Sequence, residues 1–572
     1  MTMLLDKRFE RTLDAVLKAE RGTSTLELWT FDDRRHRREA EARFAKASIS
    51  ARCRSAYKPL LHFFLEEVER TELAAARIAY PVHEQAAANR FRLEAYPLAG
   101  LLEGVDLAFE PRQGDGFVYD VELRFKDGRR QTHSVLAPNR LHGDAQDRPT
   151  VSPTGWIVRD GKGPGERLET DYERLFEAIC LAATNADWPK SEPFFPELAI
   201  DVAYPAEDEA LDFSHEVVSL REALHEDLYF TLLDVFHRRS GRAPGDRTLQ
   251  PGRIVPMVVG RGEKVSARVE VRPIRRFATK ANDRPSEPIR SAPGFARIAA
   301  ELTKVGGTPF EVRSVGGRRI VAHHVSGSDV PVMVSGGQHP NEVTGVLGAL
   351  FGGQALASKP NAHFTVSPVE NPDGYALHQR LCRDNLNHMH HAARYTALGD
   401  DMEYRSSGKL WEKEIRVAAQ RLTGATLHVN LHGYPSHEWT RPLMGYIPRG
   451  FEMWTLPKGF FLILRYHPGW EEPAMTMLDS VTRRLGKVPG LTDLNRRQIA
   501  LYEIHAGDAG FQMINGFPCH CSLDERSSVP VTLITEYPDE TIYGDALVAG
   551  YKAQAETVVA AYDAWQVCAP EA

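Results

Sequence analysis

Four short strand-like runs after residue 291 constrain the fold most: Val332-Met333-Val334, Phe364-Thr365-Val366, Leu427 to Leu431 and Val531 to Thr535, each separated from the next by helical stretches. Strands with apolar side chains on both faces need cover on both faces, which helical crossovers supply. Residues 291–572 are therefore expected to form an α/β domain. Its sheet should be mixed, mostly parallel, and covered by helices on both faces. Open sheets of this kind hold their ligands beyond the carboxyl ends of the strands. The residues that follow each run are thus the first place to look for chemistry.

The chain has 572 residues, room for about three to five folding units at roughly 100–200 residues each. Helical patterns rich in Arg and Glu fill the first 80 residues and start with an amphipathic helix at the amino terminus. The texture then changes. From Phe117 to Phe125 every odd position is apolar, the mark of a half-buried strand, and Lys126-Asp127-Gly128 supplies a turn. Val105, Leu107 and Phe109 suggest an antiparallel partner. Thr170 and Glu173 form a capping box ahead of Leu175, Phe176 and Ile179 at helical spacing. A helix over about Ser219 to Arg239 precedes a hairpin, Ile254–Val259 with Val265–Ile274. Glu222, His225, Glu226 and Asp227 on that helix match no metal motif and read as an exposed or salt-bridged face. Polar, breaker-rich sequence from Lys280 to Pro293 marks the main boundary. The expected division is 1–165, an α+β module with a β-rich segment; 166–290, an accessory α+β module that can form one domain with it; and 291–572, the α/β domain.

Seventy basic against 77 acidic residues leave a net charge of −7, so no cationic excess favours a phosphate backbone and nucleic acid is not an expected partner. The run Arg34 to Arg38 is flanked by Asp32, Asp33, Glu39 and Glu41 and reads as a solvated helix face. Six scattered cysteines without a CxxC pair suit a reducing compartment. Charges at Asp6, Lys7, Arg8 and Glu10 interrupt any signal-like run. The most apolar late stretch, Gly459 to Leu464, is far shorter than the roughly 20 residues that span a bilayer. A cytoplasmic protein with no membrane partner is expected, and a homo-oligomer stays open.

The first run continues through Gly336-Gly337 into Gln338-His339-Pro340-Asn341-Glu342, which places an imidazole and a carboxylate on either side of one turn. Such ligands suit Zn²⁺. On the third run, positions 428, 430 and 432 share a face, and His428 and His432 lie roughly 13 Å apart at about 3.3 Å per residue. Only one can join the same ion. His432 ends the run before a glycine and is the better placed. The fourth run ends in Glu536, another carboxylate at a strand end.

These segments together resemble the zinc metallocarboxypeptidase family, the carboxypeptidase A and B relatives. Gly-Gly-Gln-His339-Pro-Asn-Glu342 is similar to its His-x-x-Glu, Asn371-Pro372-Asp373-Gly374 to its Asn-Pro-Asp-Gly, and His432-Gly433-Tyr434 to its His-Ser-Tyr. Thr535-Glu536-Tyr537 resembles its Thr-x-Glu-Leu region, and Ser314 to Ile320 its Ser-x-x-Gly-Arg-x-Ile hairpin. The resemblance covers about 291–572. It implies one Zn²⁺ per chain held by His339, Glu342 and His432, a metal-activated water, and Glu536 as general base and then acid. Arg380 or Arg383 would stabilise the oxyanion, and the substrate would be a small peptide or amide.

One departure bears on specificity. The family grips the substrate's terminal carboxylate with an Asn-Arg pair, since a guanidinium makes two parallel charged hydrogen bonds to it. Here the corresponding text is Asn387-His388. Asn387, His388, Arg394 and Tyr434 are thus the expected substrate contacts, with Arg394 able to compensate for the missing arginine. The related deacylases of N-acyl amino acids, succinylglutamate desuccinylase and aspartoacylase, share a similar Gly-x-His-x-x-Glu opening and form an alternative. A non-catalytic binding protein on a peptidase fold is another. The His388, His390, His391 group reads as a polar rim rather than a second metal site.

Overall fold

Alternation along the strand Val332–Gly336 shows how the C-terminal sheet is covered. Val332 and Val334 enter a core with Val346, Leu350, Leu547 and Val558, from the helices Val343–Ala357 and Gly544–Cys568. Met333, between them, packs instead with Ala419, Ala425 and Val529. Leu427–Pro435 repeats the pattern: Leu427, Val429 and Leu431 face the large core. His428 Nε2 donates to Ser335 Oγ at 2.7 Å, and that hydroxyl donates to Asn430 Oδ1 at 2.9 Å.

This computed structural model describes residues 1–20, 22–114, 116–243, 245–279, 288–447 and 452–570. Of the boundary expected at Lys280 to Pro293, residues 280–287 lie outside the described residues. The C-terminal sheet has nine strands in the order Thr308–Arg313, Arg319–Val325, Phe364–Ser367, Val332–Gly336, Leu427–Pro435, Val531–Glu540, Phe461–Tyr466, Phe517–Leu523, Gln512–Ile514. It is mixed as expected but not mostly parallel. The four central strands are parallel, while both margins include antiparallel pairs. The chain leaves Val332–Gly336 to one side for Phe364–Ser367 and returns on the other for Leu427–Pro435. In open sheets such a switch point, at the carboxyl ends of the strands, is where ligands are held.

The N-terminal half differs from its sequence reading in several places. Residues Thr2–Phe9 form a strand, followed by the helix Thr12–Ala19, rather than one amphipathic helix. Pairing with Val265–Arg272 accounts for this, because it binds the chain's first strand to the last one of that half. Tertiary pairing here overrides a local pattern. The first 80 residues also hold the strands Thr25–Thr30, Ser50–Ser55 and Leu73–Tyr80. Arg253–Val259 and Val265–Arg272 are strands, but no hairpin joins them. Glu197–Ala203 lies between, parallel to the first and antiparallel to the second.

Val118–Phe125 pairs antiparallel with Arg130–Leu136 across the expected turn. Asp106–Pro111 is a strand but not the expected antiparallel partner: it pairs in parallel with Leu73–Tyr80, which lies between it and Val118–Phe125. The helix Asp171–Asn185 begins with the capping box of Thr170 and Glu173.

The two halves share a core. Leu224, Leu228 and Phe230 of the helix Leu220–Ser240 pack in one cluster with Leu377, Met389, Trp439 and Leu443 of the C-terminal half. The charged face of that helix is not exposed: Glu222, His225, Glu226 and Asp227 are all buried. Each faces groups of the C-terminal half. Glu222 Oε1 lies 2.8 Å from His437 Nε2, Glu226 Oε2 lies 2.6 Å from His391 Nδ1, and Asp227 Oδ2 accepts from Leu443 N at 2.9 Å. The His225 ring meets that of His390 edge to face.

Candidate active site

Gly336 and Gly337 let the chain double back from the strand into the helix Val343–Ala357. Gly337 has φ +63°, and a Cβ on Gly336 would sit 2.5 Å from Gly345 O. The turn leaves His339 and Glu342 over the strand ends. On the next strand, His432 stands in register with Glu536 of Val531–Glu540. Adjacent strands run about 4.7–4.9 Å apart. Four residues distant in sequence thus meet at one sheet edge.

Three of them form a near-equilateral set of donors. His339 Nδ1 lies 3.0 Å from Glu342 Oε1, His432 Nδ1 lies 3.0 Å from Glu342 Oε2, and the two Nδ1 atoms are 3.1 Å apart. Ligands each held about 2.0–2.1 Å from a tetrahedral ion lie ~3.3 Å apart, close to these edges. All three side chains are buried, and Glu342 Oε2 has no hydrogen-bond donor among the described residues. A buried carboxylate oxygen without a donor, facing two imidazole nitrogens, fits a cation. Two histidines and one glutamate, with a position left open, are the donor set of a catalytic zinc.

The far side of His339 is fixed by a carboxylate. His339 Nε2 is 3.2 Å from Asp401 Oδ2, while Asp401 Oδ1 accepts from Gln338 Nε2 at 2.8 Å and from Glu403 N at 3.0 Å. Burial opposes the charge of Asp401, yet His339, the Glu403 N–H and Arg394 hold its carboxyl well below the usual range. A charged carboxylate facing Nε2 favours the tautomer that leaves the Nδ1 lone pair for a metal. His432 is fixed through its backbone: its N–H donates to Thr535 Oγ1 at 3.2 Å and its carbonyl accepts from Gln554 Nε2 at 2.7 Å.

Glu536 is buried, and its Oε2 has no partner among the described residues. Burial and the charge of Glu342 push its carboxyl well above the usual range, against the pull of Arg394 and Lys458. Lys458 is buried with its Nζ 4.8–5.7 Å from the ring centroids of Trp454, Tyr434, Phe461 and Tyr502. Burial pulls its ammonium down to about 7.

The remaining expected residues separate into those at the centre and those away from it. Arg394 is at the centre: its Nη1 donates to Glu342 Oε1 and lies 3.8 Å from Glu540 Oε1. Arg380 and Arg383 make their contacts elsewhere, Arg380 to Asp384 Oδ2 at 2.6 Å and Arg383 to Ala278 O at 3.2 Å. Both lie at the end of the helix Pro372–Leu381, whereas the chain returns to the strand ends only later, at Arg394. Asn371 secures that return, its Nδ2 donating to Tyr395 O at 3.0 Å and its Oδ1 accepting from Gly374 N at 2.9 Å. Asn387 is exposed. His388 is buried and committed to the N-terminal half, its Nε2 2.8 Å from Asp208 Oδ2 and 3.0 Å from Ser219 Oγ. Tyr434 is buried, its hydroxyl donating to Gly459 O and accepting from Lys458 N, each at 2.7 Å.

Asp401, Glu540 and Lys458 were not among the residues singled out from sequence. Asp401 follows Gly399-Asp400 in a loop without periodicity, and Lys458 follows a proline. Nothing local distinguishes either one. Glu540 is four residues beyond Glu536 on the same strand, and that alternation is a signal a reader of the sequence can use.

No family model matches the chain, and no curated protein matches it. Its solved structural neighbours include metallocarboxypeptidases, metallopeptidases and an aspartoacylase family protein, all at low identity. It is similar to a putative metallopeptidase from Shewanella baltica OS155 at 14% identity, covering 48% of this chain and 91% of that one, with a TM-score of 0.30. A metallo-carboxypeptidase from Burkholderia cenocepacia gives 13% identity, coverage of 52% and 74%, and a TM-score of 0.31. An aspartoacylase family protein from Mesorhizobium loti gives 14%, coverage of 43% and 66%, and 0.23. Scores this low do not bear on function, which is read from the geometry of the site itself.

Proposed function

We propose that this chain is a zinc-dependent hydrolase of a peptide or amide bond that works in the manner of a carboxypeptidase. The observation that carries this reading is the donor triangle of His339, Glu342 and His432, with an unpartnered Glu536 oxygen on the adjoining strand. Zinc bound there supplies a Lewis acid for the scissile carbonyl, lowers the pKa of water, and by its charge favours the ionised form of Glu536. Glu536 takes the proton of the attacking water at a carboxylate oxygen and returns it to the leaving nitrogen. Arg394, already at the site, offers its guanidinium to the oxygen on which negative charge develops. In this reading it replaces Arg380 and Arg383. Asp401 keeps His339 in the required tautomer. Glu536→Gln should retain the fold and the metal while losing about 10²–10⁴ in turnover. Near-wild-type activity in that variant would remove Glu536 from the mechanism.

A deacylase of N-acyl amino acids is the second reading; its substrates carry the same free α-carboxylate, so the placement of His388 and Asn387 bears on how either substrate is gripped. Neither presents a free cation where a carboxypeptidase grips the terminal carboxylate: one is bound to Asp208 and Ser219, the other is exposed. A substrate and its C-terminal amide should therefore differ by less than about 10³-fold in kcat/KM at pH 8, a limit near 4 kcal/mol. A larger preference for the free acid would establish that a strong carboxylate anchor exists elsewhere in the site.

A further inference from the structure

A second set of metal-ligand side chains lies apart from the centre, where the helix Pro372–Leu381 ends. His378 and Cys382 are four residues apart, so the helical turn sets both on one face. The chain then loops outward and brings back His390. Cys382 Sγ lies 3.6 Å from His378 Nε2 and 3.8 Å from His390 Nδ1. One ligand atom from each of the three residues falls within 4.8 Å of the others. A tetrahedral ion with M–S of about 2.3 Å and M–N of about 2.0 Å sets sulfur and nitrogen ~3.5 Å apart, so the spacing needs little adjustment.

The surroundings support a metal more than a hydrogen-bonded cluster. His390 is buried, and its Nδ1 faces the Cys382 thiol rather than a carboxylate. The neighbouring His391 and His437, by contrast, each face a carboxylate of the helix Leu220–Ser240. The His390 ring is bordered by the imidazoles of His378, His225 and His388, with centroids 5.8, 5.7 and 6.4 Å away. The Tyr543 hydroxyl, 4.0 Å from Cys382 Sγ, closes a further side and donates to Leu386 O at 2.6 Å. Two imidazoles and a thiolate form a borderline-soft donor set that selects Zn²⁺ over Ca²⁺ or Mg²⁺.

We propose that His378, Cys382 and His390 bind a second divalent zinc ion, distinct from the catalytic one, with the fourth position taken by water or the Tyr543 hydroxyl. Binding displaces the Cys382 thiol proton to solvent. The ion fastens the end of the helix Pro372–Leu381 to the segment that goes on to carry His391 and Arg394. Its role is to position that segment; none of its ligands lies at the catalytic centre.

The test is metal analysis of the full chain with Zn²⁺ and with Co²⁺ as probes. Wild type should hold two equivalents of zinc, Cys382→Ser and His390→Gln one each, and His432→Ala one. The cobalt form should show a thiolate-to-metal charge-transfer band that is lost in Cys382→Ser and kept in His432→Ala. That contrast does not depend on the reading of the catalytic centre. Far-UV circular dichroism identifies any variant that fails to fold. For that case, alkylation of Cys382 in wild type gives the second readout, and it should be at least tenfold slower with zinc than after chelation. A cobalt form without a thiolate band, or alkylation unaffected by the metal, would overturn the proposal.

Discussion

Replacing Asp401 with Asn probes how far a residue outside the metal donor set controls the site. Asp401 accepts on both sides, from His339 Nε2 through Oδ2 and from Gln338 Nε2 and Glu403 N through Oδ1. An amide of the same shape has only one oxygen. Its NH₂ must face either the proton on His339 Nε2 or the two donors opposite, so one donor is left opposing another. The group is 16% exposed, so water repairs little of the loss. Carboxylates that orient a metal-bound histidine are worth about 10–100-fold in metal affinity, or ~1.4–2.7 kcal/mol. Zinc affinity at the catalytic centre, read from the recovery of activity as buffered zinc is raised, should fall by that factor in Asp401→Asn. An affinity within threefold of wild type in a folded variant would show that Asp401 does not hold the His339 tautomer.

Two further outcomes follow from the buried charges. Arg394→Ala removes the cation beside Glu342 and Glu540. It should lower kcat by about 10²–10³ and destabilise the fold by ~3–5 kcal/mol, the usual result of breaking a buried pair. Arg394→Lys should recover part of both in steady-state kinetics and thermal melts. Across the interface of the two halves, burial raises the carboxyls of Glu226 and Asp227 to about 8 each. An unfolded chain loses those protons near pH 4 while the folded one keeps them, so stability declines as pH rises from there to about 8. His437 is raised to about 9 by the carboxylates around it, despite its burial. Its contribution is complete below about 6.5 and is lost towards 9. Between about pH 4 and 6.5 two histidines offset the two carboxyls, because burial lowers His225 to about 4 and His391 to about 3 and they resist protonation in the fold. The melting temperature should therefore change little from about pH 4.5 to 6.5 and fall towards pH 9, and Glu226→Gln should flatten the alkaline limb. A melting temperature that rises between pH 6.5 and 9 would contradict these assignments.

The C-terminal sheet was legible because its strands are buried on both faces and carry that requirement in every residue. Val332 to Val334 and Leu427 to Leu431 leave few alternatives to a covered sheet. The donors His339, Glu342 and His432 were legible for a related reason: they end strands, where topology brings separate segments to one edge. Which arginine lies nearest the site was harder to read. Arg380 and Arg383 lie nearer the Asn371-Pro372-Asp373-Gly374 motif in sequence, but the route of the loop is set by Asn371 holding the backbone at Tyr395. No local pattern encodes that. The N-terminal half was least legible. Its first strand finds its partner about 260 residues away, and the charged face of Leu220–Ser240 is buried only because the C-terminal half supplies a partner for each group.

The central claim is that His339, Glu342 and His432 share one zinc ion. Anomalous scattering at the zinc edge from crystals of the full chain grown with zinc tests it most directly. A peak within about 2.0–2.2 Å of His339 Nδ1, His432 Nδ1 and a Glu342 oxygen is the expected result. Crystals that contain zinc but show no peak among these three side chains would contradict the claim.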